Sequence, residues 1–239
     1  MSGSGGAVGA PLPLEVCADT GALALRAARR IAAAARRAVT ERGIFHLAVS
    51  GGRTPLVMLR RLAELPVPWT SVHLWQADER AAPDDDPARN WTALCDALLE
   101  RAPIAAESRH PMPVTDADLE AAAARYAAEL AAAAGTPPVL DLVHLGLGAD
   151  GHTASLVPGD TVLEVSDRDV APTGLYQGHR RLTLTYPLLE RAREILFLVA
   201  GADKAGALTK LQRRDPSIPA GRLWSERIAI LADRAAAGA

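Results

Sequence analysis

Short apolar runs recur along the chain, each closed by glycine or a polar turn, with longer alanine- and leucine-rich stretches between them. The runs "IFHLAVS" (44–50), "SVHLWQAD" (71–78), "VLDLVHLGLG" (139–148), "RLTLT" (181–185), "EILFLVA" (194–200) and "RIAILAD" (227–233) read as strands. Most are apolar almost throughout, which is the pattern of strands covered on both faces. Between them, Asp19 or Thr20 caps a helix over 20–42 that Gly43 closes. Pro55 sits in the first turn of a helix running to Leu65, where its missing N–H costs little. Further helices are expected from Asn90 to about Arg101, over 116–134, and from Asp203 to Gln212. "PDDDPARN" is loop. The segment 155–180, punctuated by proline and glycine, is either a lid or an excursion from the main sheet.

Strands alternating with helices predict an α/β fold, a mostly parallel sheet with helices on both faces. No internal repeat or linker divides the chain. Residues 14–239 are therefore expected to form a single domain, preceded by a loose tail over 1–13.

Charge narrows the partners. A net charge of −2 offers no bulk attraction to nucleic acid or to an anionic membrane, so an anionic ligand must be caught locally. No apolar run approaches the roughly 20 residues that span a bilayer. The opening "MSGSGGAVGAPLP" lacks the basic start and apolar stretch of a signal peptide. Cys17 and Cys95 have no metal-ligand spacing and read as reduced thiols, so a cytoplasmic protein is expected, monomeric or weakly self-associating. Only two of the 26 basic residues are lysines, and Asn90 is the single asparagine. In a composition that avoids both types, Lys204 and Asn90 become candidates for chemistry.

In an open α/β sheet ligands bind outside the carboxyl ends of the strands, and three polar motifs fall there. "SGGRTP" (50–55) has the form of an anion cradle. Gly51 and Gly52 let backbone N–H groups approach, Ser50 and Thr54 add hydroxyls, Arg53 adds charge, and a helix N-terminus follows. It has no lysine where a P-loop needs one; the structural alternative is a tight turn with Thr54 as helix cap. "DER" (78–80) offers Arg80 to a phosphate or carboxylate, with Asp78 or Glu79 ordering it; alternatively it is a solvated turn. "GLGADGHTAS" (146–155) sets Asp150 and His152 in a loop with Gly148 and Gly151, an acid beside an imidazole able to titrate near neutrality. The other histidines, His46, His73, His110, His144 and His179, read as structural. No metal is expected, although Asp78, Glu79, Asp150 and His152 are the types that could hold one.

"SGGRTP", "DER" with Asn90 downstream, "LGLGADGHTASLVPG", "RLTLT" and "GADKAGAL" together resemble the glucosamine-6-phosphate isomerase/6-phosphogluconolactonase family, in the family's order from about residue 14 to 233. "DER" and "GHTASL" resemble its lactonase branch. The chain departs from the usual pattern at Val157, where Phe is common, at Arg53, where Ser or Thr is common, and at Arg89. The resemblance implies a Rossmann-like sugar-phosphate fold and hydrolysis of 6-phospho-D-glucono-1,5-lactone without a cofactor. His152 is then the general base on water and Asp150 its partner. The glycine-loop N–H groups stabilise an oxyanion, and Arg80, Arg181 and Lys204 hold the phosphate and sugar hydroxyls. Two alternatives stand beside it. A sugar-phosphate deaminase/isomerase would resemble "GHIAFNEPG", where this chain has "GHTASLVPG". A non-catalytic sugar-phosphate sensor usually carries a helix-turn-helix reader, for which the short glycine-rich N-terminus leaves no room.

Overall fold

A computed structural model describes residues 10–239. Seven strands form one parallel sheet: β1 (Leu14–Cys17), β2 (Phe45–Val49), β3 (Val72–Gln76), β5 (Arg109–His110), β6 (Leu142–Gly146), β9 (Ile195–Val199) and β10 (Ile228–Asp233). Their spatial order is β1-β10-β9-β6-β2-β3-β5. Three further strands, β4 (Asp78–Arg80), β7 (Val170–Pro172) and β8 (Arg181–Leu184), make a small antiparallel sheet ordered β4-β8-β7. The helices are α1 (Thr20–Arg42), α2 (Arg53–Ala63), α3 (Asn90–Leu94), α4 (Leu119–Ala134), α5 (Tyr186–Arg191), α6 (Ala205–Gln212) and α7 (Arg234–Ala237).

The α/β expectation holds, and the uniformly apolar runs have their reason. Successive residues of each central strand feed two different cores: Phe45, Leu47 and Val49 of β2 pack with the α1 and α2 side, while Ala48 joins the opposite side. The same division separates Leu196 and Leu198 from Ile195, Phe197 and Val199 in β9. Helix α1 starts at its Asp19 cap, whose carboxylate accepts from the Ala22 N–H, and ends at left-handed Gly43. Its buried stripe is mostly alanine, from Ala24 to Ala38, and so brings the helix close to α2 and the sheet.

Four expectations are corrected. The run 71–78 is not one strand. Ala77 is a corner: its N–H donates to Val49 O on β2 (2.9 Å), while its carbonyl accepts from Leu184 N on β8 (2.8 Å). Asp78–Arg80 therefore leave the parallel sheet and pair antiparallel with Arg181–Thr183. The helix expected over 90–101 stops being α at Leu94 and widens into a π turn, with Glu100 N donating to Cys95 O (3.1 Å). Residues 1–9 of the expected tail lie outside the described residues, but Leu12 is buried and donates its N–H to Gln212 O (2.9 Å), so the chain is anchored before β1. Thr54 is not the cap of α2; Gly52 holds that position and Thr54 lies in the first turn. Of the two readings of 155–180, the structure makes the excursion: a 3₁₀ turn over Thr161–Glu164, then β7.

Among the described residues no helix is long and apolar enough to cross a membrane.

Candidate active site

From β2 the chain steps outward to β3 and β5, then returns to place β6 on the other side of β2 and continues away through β9 and β10. The connections leaving β2 and β6 thus diverge. That divergence opens a crevice outside the carboxyl ends of the two strands. A cavity of about 290 Å³ lies there, lined by Ser50–Pro55, by Gly146–Gly148 and His152, by Asp78, Arg80, Asn90 and Arg181, and by Asp203 and Lys204 after β9.

The acid–imidazole pair forms. Asp150 Oδ1 accepts from the His152 backbone N–H (3.1 Å) and from Nδ1 of its ring (2.6 Å). Assigning the proton to Nδ1 leaves Nε2 with no hydrogen-bond partner among the described residues, on a side chain 25% exposed in the cavity wall. Burial pushes the Asp150 carboxyl up, but the His152 N–H, its imidazole and the Tyr176 hydroxyl outweigh this and hold it below the usual carboxylate range.

The oxyanion role expected of the glycine-loop N–H groups is corrected. Gly148 N donates to His152 O (2.9 Å) and Gly151 N to Gly148 O (3.0 Å), so both are spent inside the turn. Gly151 is outside the cavity, against Ile218. The free donors are on the other loop: among the described residues the N–H groups of Gly51, Gly52, Arg53 and Thr54 meet no protein acceptor, as expected at a helix N-terminus. The Ser50 Oγ is buried and also without a partner.

Glu79 does not reach the cavity either. It is fully buried. Oε1 accepts from the N–H groups of Arg80 (2.7 Å) and Asn90 (2.8 Å), and Oε2 from Gln76 Nε2 (2.8 Å) and Trp91 N (2.7 Å). Arg89 Nε stands 3.4 Å from Oε2 as an ion pair without hydrogen-bond alignment. This carboxylate starts α3 and folds the 80–91 loop. Asn90 is held by its Nδ2 donating to Asp78 O (3.0 Å), packed flat on Gly51. Asp78 accepts from Ser155 Oγ (2.7 Å), which accepts from Arg181 Nη1 (3.4 Å).

Four cations, Arg53, Arg80, Arg181 and Lys204, share the cavity. Arg181 is 4% exposed; burial lowers its pKa, with Asp78 opposing. Its Nε and that of Arg80 are buried without partners. Arg80 is braced by Nη1 donating to Ala88 O (2.7 Å), and Lys204 Nζ lies 3.1 Å from Asp203. Arg53 also lines the cavity, whereas Val157 is buried.

Two residues to which the sequence reading gave no role belong to this site. Ser155 bridges Asp78 and Arg181. Tyr176 donates its hydroxyl to Asp150 Oδ2 (3.1 Å) and lies edge-on to the His152 ring. Composition carries no signal for either, although three tyrosines in the chain would have justified asking about each.

Of the remaining histidines, His179 pairs with Tyr176 through the backbone and the other four sit elsewhere. His46, His73 and His110 gather round Trp75, whose ring stacks on His110 at 3.6 Å between centroids. His144 is fully buried in β6 with neither ring nitrogen bonded, and burial pulls its pKa down to about 4. Among the described residues no three His, Cys, Asp or Glu side chains are placed to share a metal ion. Asp78 bonds Ser155, Glu79 bonds the loop N–H groups, and Asp150 and His152 bond each other.

A parallel sheet whose switch point carries a bare helix N-terminus, four cations and an acid–imidazole pair defines an α/β protein with a cationic crevice at its switch point. The model of the family described as glucosamine-6-phosphate isomerases/6-phosphogluconolactonase matches residues 18–231, and the chain belongs to that family. It is 43% identical over 179 residues to a 6-phosphogluconolactonase of Synechocystis sp., covering 73% of this chain and 74% of the relative. It is 36% identical over 238 residues to the 6-phosphogluconolactonase of Mycobacterium tuberculosis, covering 94% and 96%. The solved 6-phosphogluconolactonase of Thermotoga maritima superposes with a TM-score of 0.82 at 26% identity, over 92% of this chain and 98% of that one.

Proposed function

We propose that the chain hydrolyses 6-phospho-D-glucono-1,5-lactone to 6-phospho-D-gluconate, the second step of the oxidative pentose phosphate pathway, with His152 as general base. The observation that carries this is one cavity holding both the Asp150-oriented imidazole and the cluster of Arg80, Arg181 and Lys204.

The lactone carbonyl is already electrophilic, so a positioned base and a charge sink are sufficient. Nε2 of His152 takes a proton from water as the water oxygen bonds to C1. Negative charge gathers on the carbonyl oxygen. When the C1–O5 bond breaks, the imidazolium returns its proton to O5. Asp150 keeps the proton on Nδ1 and stabilises the charged ring. Arg80, Arg181 and Lys204 offer charge-assisted donors to the phosphate and sugar hydroxyls. The N–H groups of Gly51, Gly52, Arg53 and Thr54 add an anion cradle supported by the dipole of α2. Ser50, Asp78, Asn90 and Gly148 complete the walls.

The enzyme acts in the cytoplasm on this small phosphosugar, without nucleic acid or membrane, as a monomer or weak oligomer. The net charge of −2 and the free thiols of Cys17 and Cys95 support this. The 14–239 segment works as one catalytic domain.

The test follows disappearance of freshly prepared lactone with and without the protein, each corrected for spontaneous opening. A rate that scales with enzyme concentration is expected. Binding of 6-phosphogluconate with no acceleration would instead favour the sensor, and release of ammonia from an amino sugar phosphate the deaminase.

A further inference from the structure

We infer that Tyr176 is a positioning residue for the catalytic pair, holding the Asp150 carboxylate so that its other oxygen meets His152 in one orientation. This rests on the lactonase reading of the site and adds to it a residue 26 positions beyond Asp150 along the chain.

Asp150 lies on a turn, with its side chain 39% exposed, and a carboxylate there is free to rotate unless both oxygens are held. The two donors from His152 occupy only Oδ1. The Tyr176 hydroxyl, at 3.1 Å, takes Oδ2. The same oxygen of Tyr176 comes within 3.4 Å of Nδ1, and its ring meets the imidazole edge-to-face at 5.5 Å between centroids. Tyr176 thus touches both members of the pair.

Tyr176 is itself fixed. It begins a two-residue hairpin turn in which Tyr176 N donates to His179 O (3.0 Å) and His179 N to Tyr176 O (3.2 Å). The central residues, Gln177 and Gly178, have φ of 49° and 84°, the left-handed pair that a tight hairpin requires. The Arg181 guanidinium lies over the ring, 5.0 Å from its centroid. The tyrosine therefore contacts both the acid–imidazole pair and a cation of the ligand cavity.

A hydroxyl donating to Oδ2 draws charge from the carboxylate. Removing it leaves Asp150 a stronger hydrogen-bond partner for the charged form of the His152 ring. The other charged or titratable groups around the pair are Arg181 beside the tyrosine ring, His179 across the hairpin from Tyr176, and Arg53, Arg80, Asp78, Asp203 and Lys204 along the cavity. All are present in both proteins compared.

The experiment compares the parent with Tyr176→Phe, reading kcat and KM against pH and the His152 imidazole titration by NMR. Losing one such hydrogen bond should lower kcat about 3–10-fold and leave KM within about twofold. The acid limb of the rate profile and the imidazole pKa should both move up by about half a unit. In an Asp150→Ala background the same substitution should no longer move the imidazole pKa. An unchanged limb and titration would overturn the proposal, whatever happened to thermal stability, and so would a shift that persists without Asp150. A parent inactive on the lactone whose imidazole still shifts in Tyr176→Phe would overturn the lactonase reading and leave the positioning role standing.

Discussion

Gly148 and His152 stand so close that a Cβ on residue 148 would lie 2.1 Å from His152 Nδ1 and 2.4 Å from Asp150 Oδ1. The pair folds back over this glycine, and any side chain there must push it away. Gly148→Ala should therefore lower kcat about 10²-fold, the scale of a catalytic group displaced by about 1 Å. The crowding is local to the pair, so binding of 6-phosphogluconate should change far less. Steady-state kinetics with product-inhibition constants check this. Activity within threefold of the parent would mean that the turn absorbs the methyl group and that the pair tolerates displacement.

His152→Ala should lose about 10²–10⁴ in rate, the usual contribution of a positioned base. The ring is partly exposed and its backbone N–H still bonds Asp150, so the variant should fold. Calorimetry should find 6-phosphogluconate still bound. Retained activity would remove His152 from the mechanism.

Arg80→Ala and Lys204→Ala should raise KM for the phosphorylated lactone by roughly 10–150-fold, the range for losing a charge-assisted hydrogen bond. The unphosphorylated lactone should be affected far less. Arg80→Lys should rescue only in part, because an ammonium cannot both brace against Ala88 O and present a planar fork. Equal losses on both substrates would move these side chains from the phosphate to the ring or carbonyl.

His144 and His46 are both held neutral by burial, at about 4. Unfolding returns them to about 6.5, so between these values the unfolded chain binds more protons and stability rises with pH. Acidification from 6.5 towards 4 should cost about 1.4 kcal/mol per pH unit for each such histidine. His144→Leu removes one of them, along with two unbonded ring nitrogens. Denaturant unfolding should show this variant at least as stable as the parent at pH 7, with a shallower acid slope. An unchanged slope would mean that His144 finds a partner for its proton in the fold.

The architecture was legible from periodicity alone. Runs such as "EILFLVA" are apolar on both sides because β9 is covered on both faces, and glycine follows β2 and β6 where the chain must turn. Strand order was not legible: β1 pairs with β10, β6 returns to the far side of β2, and β4, β7 and β8 leave for a second sheet, pairings set only when distant segments meet. Ser50–Thr54, Asp150 and His152 were legible too, because each lies within a few residues of a strand end and its role depends on neighbours in sequence. Arg80, Arg181 and Lys204 came from the motif order, since no local pattern separates a ligand-facing arginine from a solvated one.

What sequence could not decide depends on partners far away along the chain. Ala77 turns out of the sheet because its carbonyl bonds to Leu184. That turn buries Glu79 under four donors and makes a candidate ligand into the organiser of a loop. Gly148 and Gly151 spend their N–H groups within their own turn, which composition cannot distinguish from offering them to a ligand. Tyr176 joins Asp150 only when the 155–180 excursion folds back against the 146–152 turn. Periodicity reports which face a residue buries; the partner of each donor and acceptor is set when distant segments meet. For this protein the sequence by itself determined the layers and the acid–imidazole turn, and the tertiary hydrogen bonds decided which polar groups remain free for chemistry.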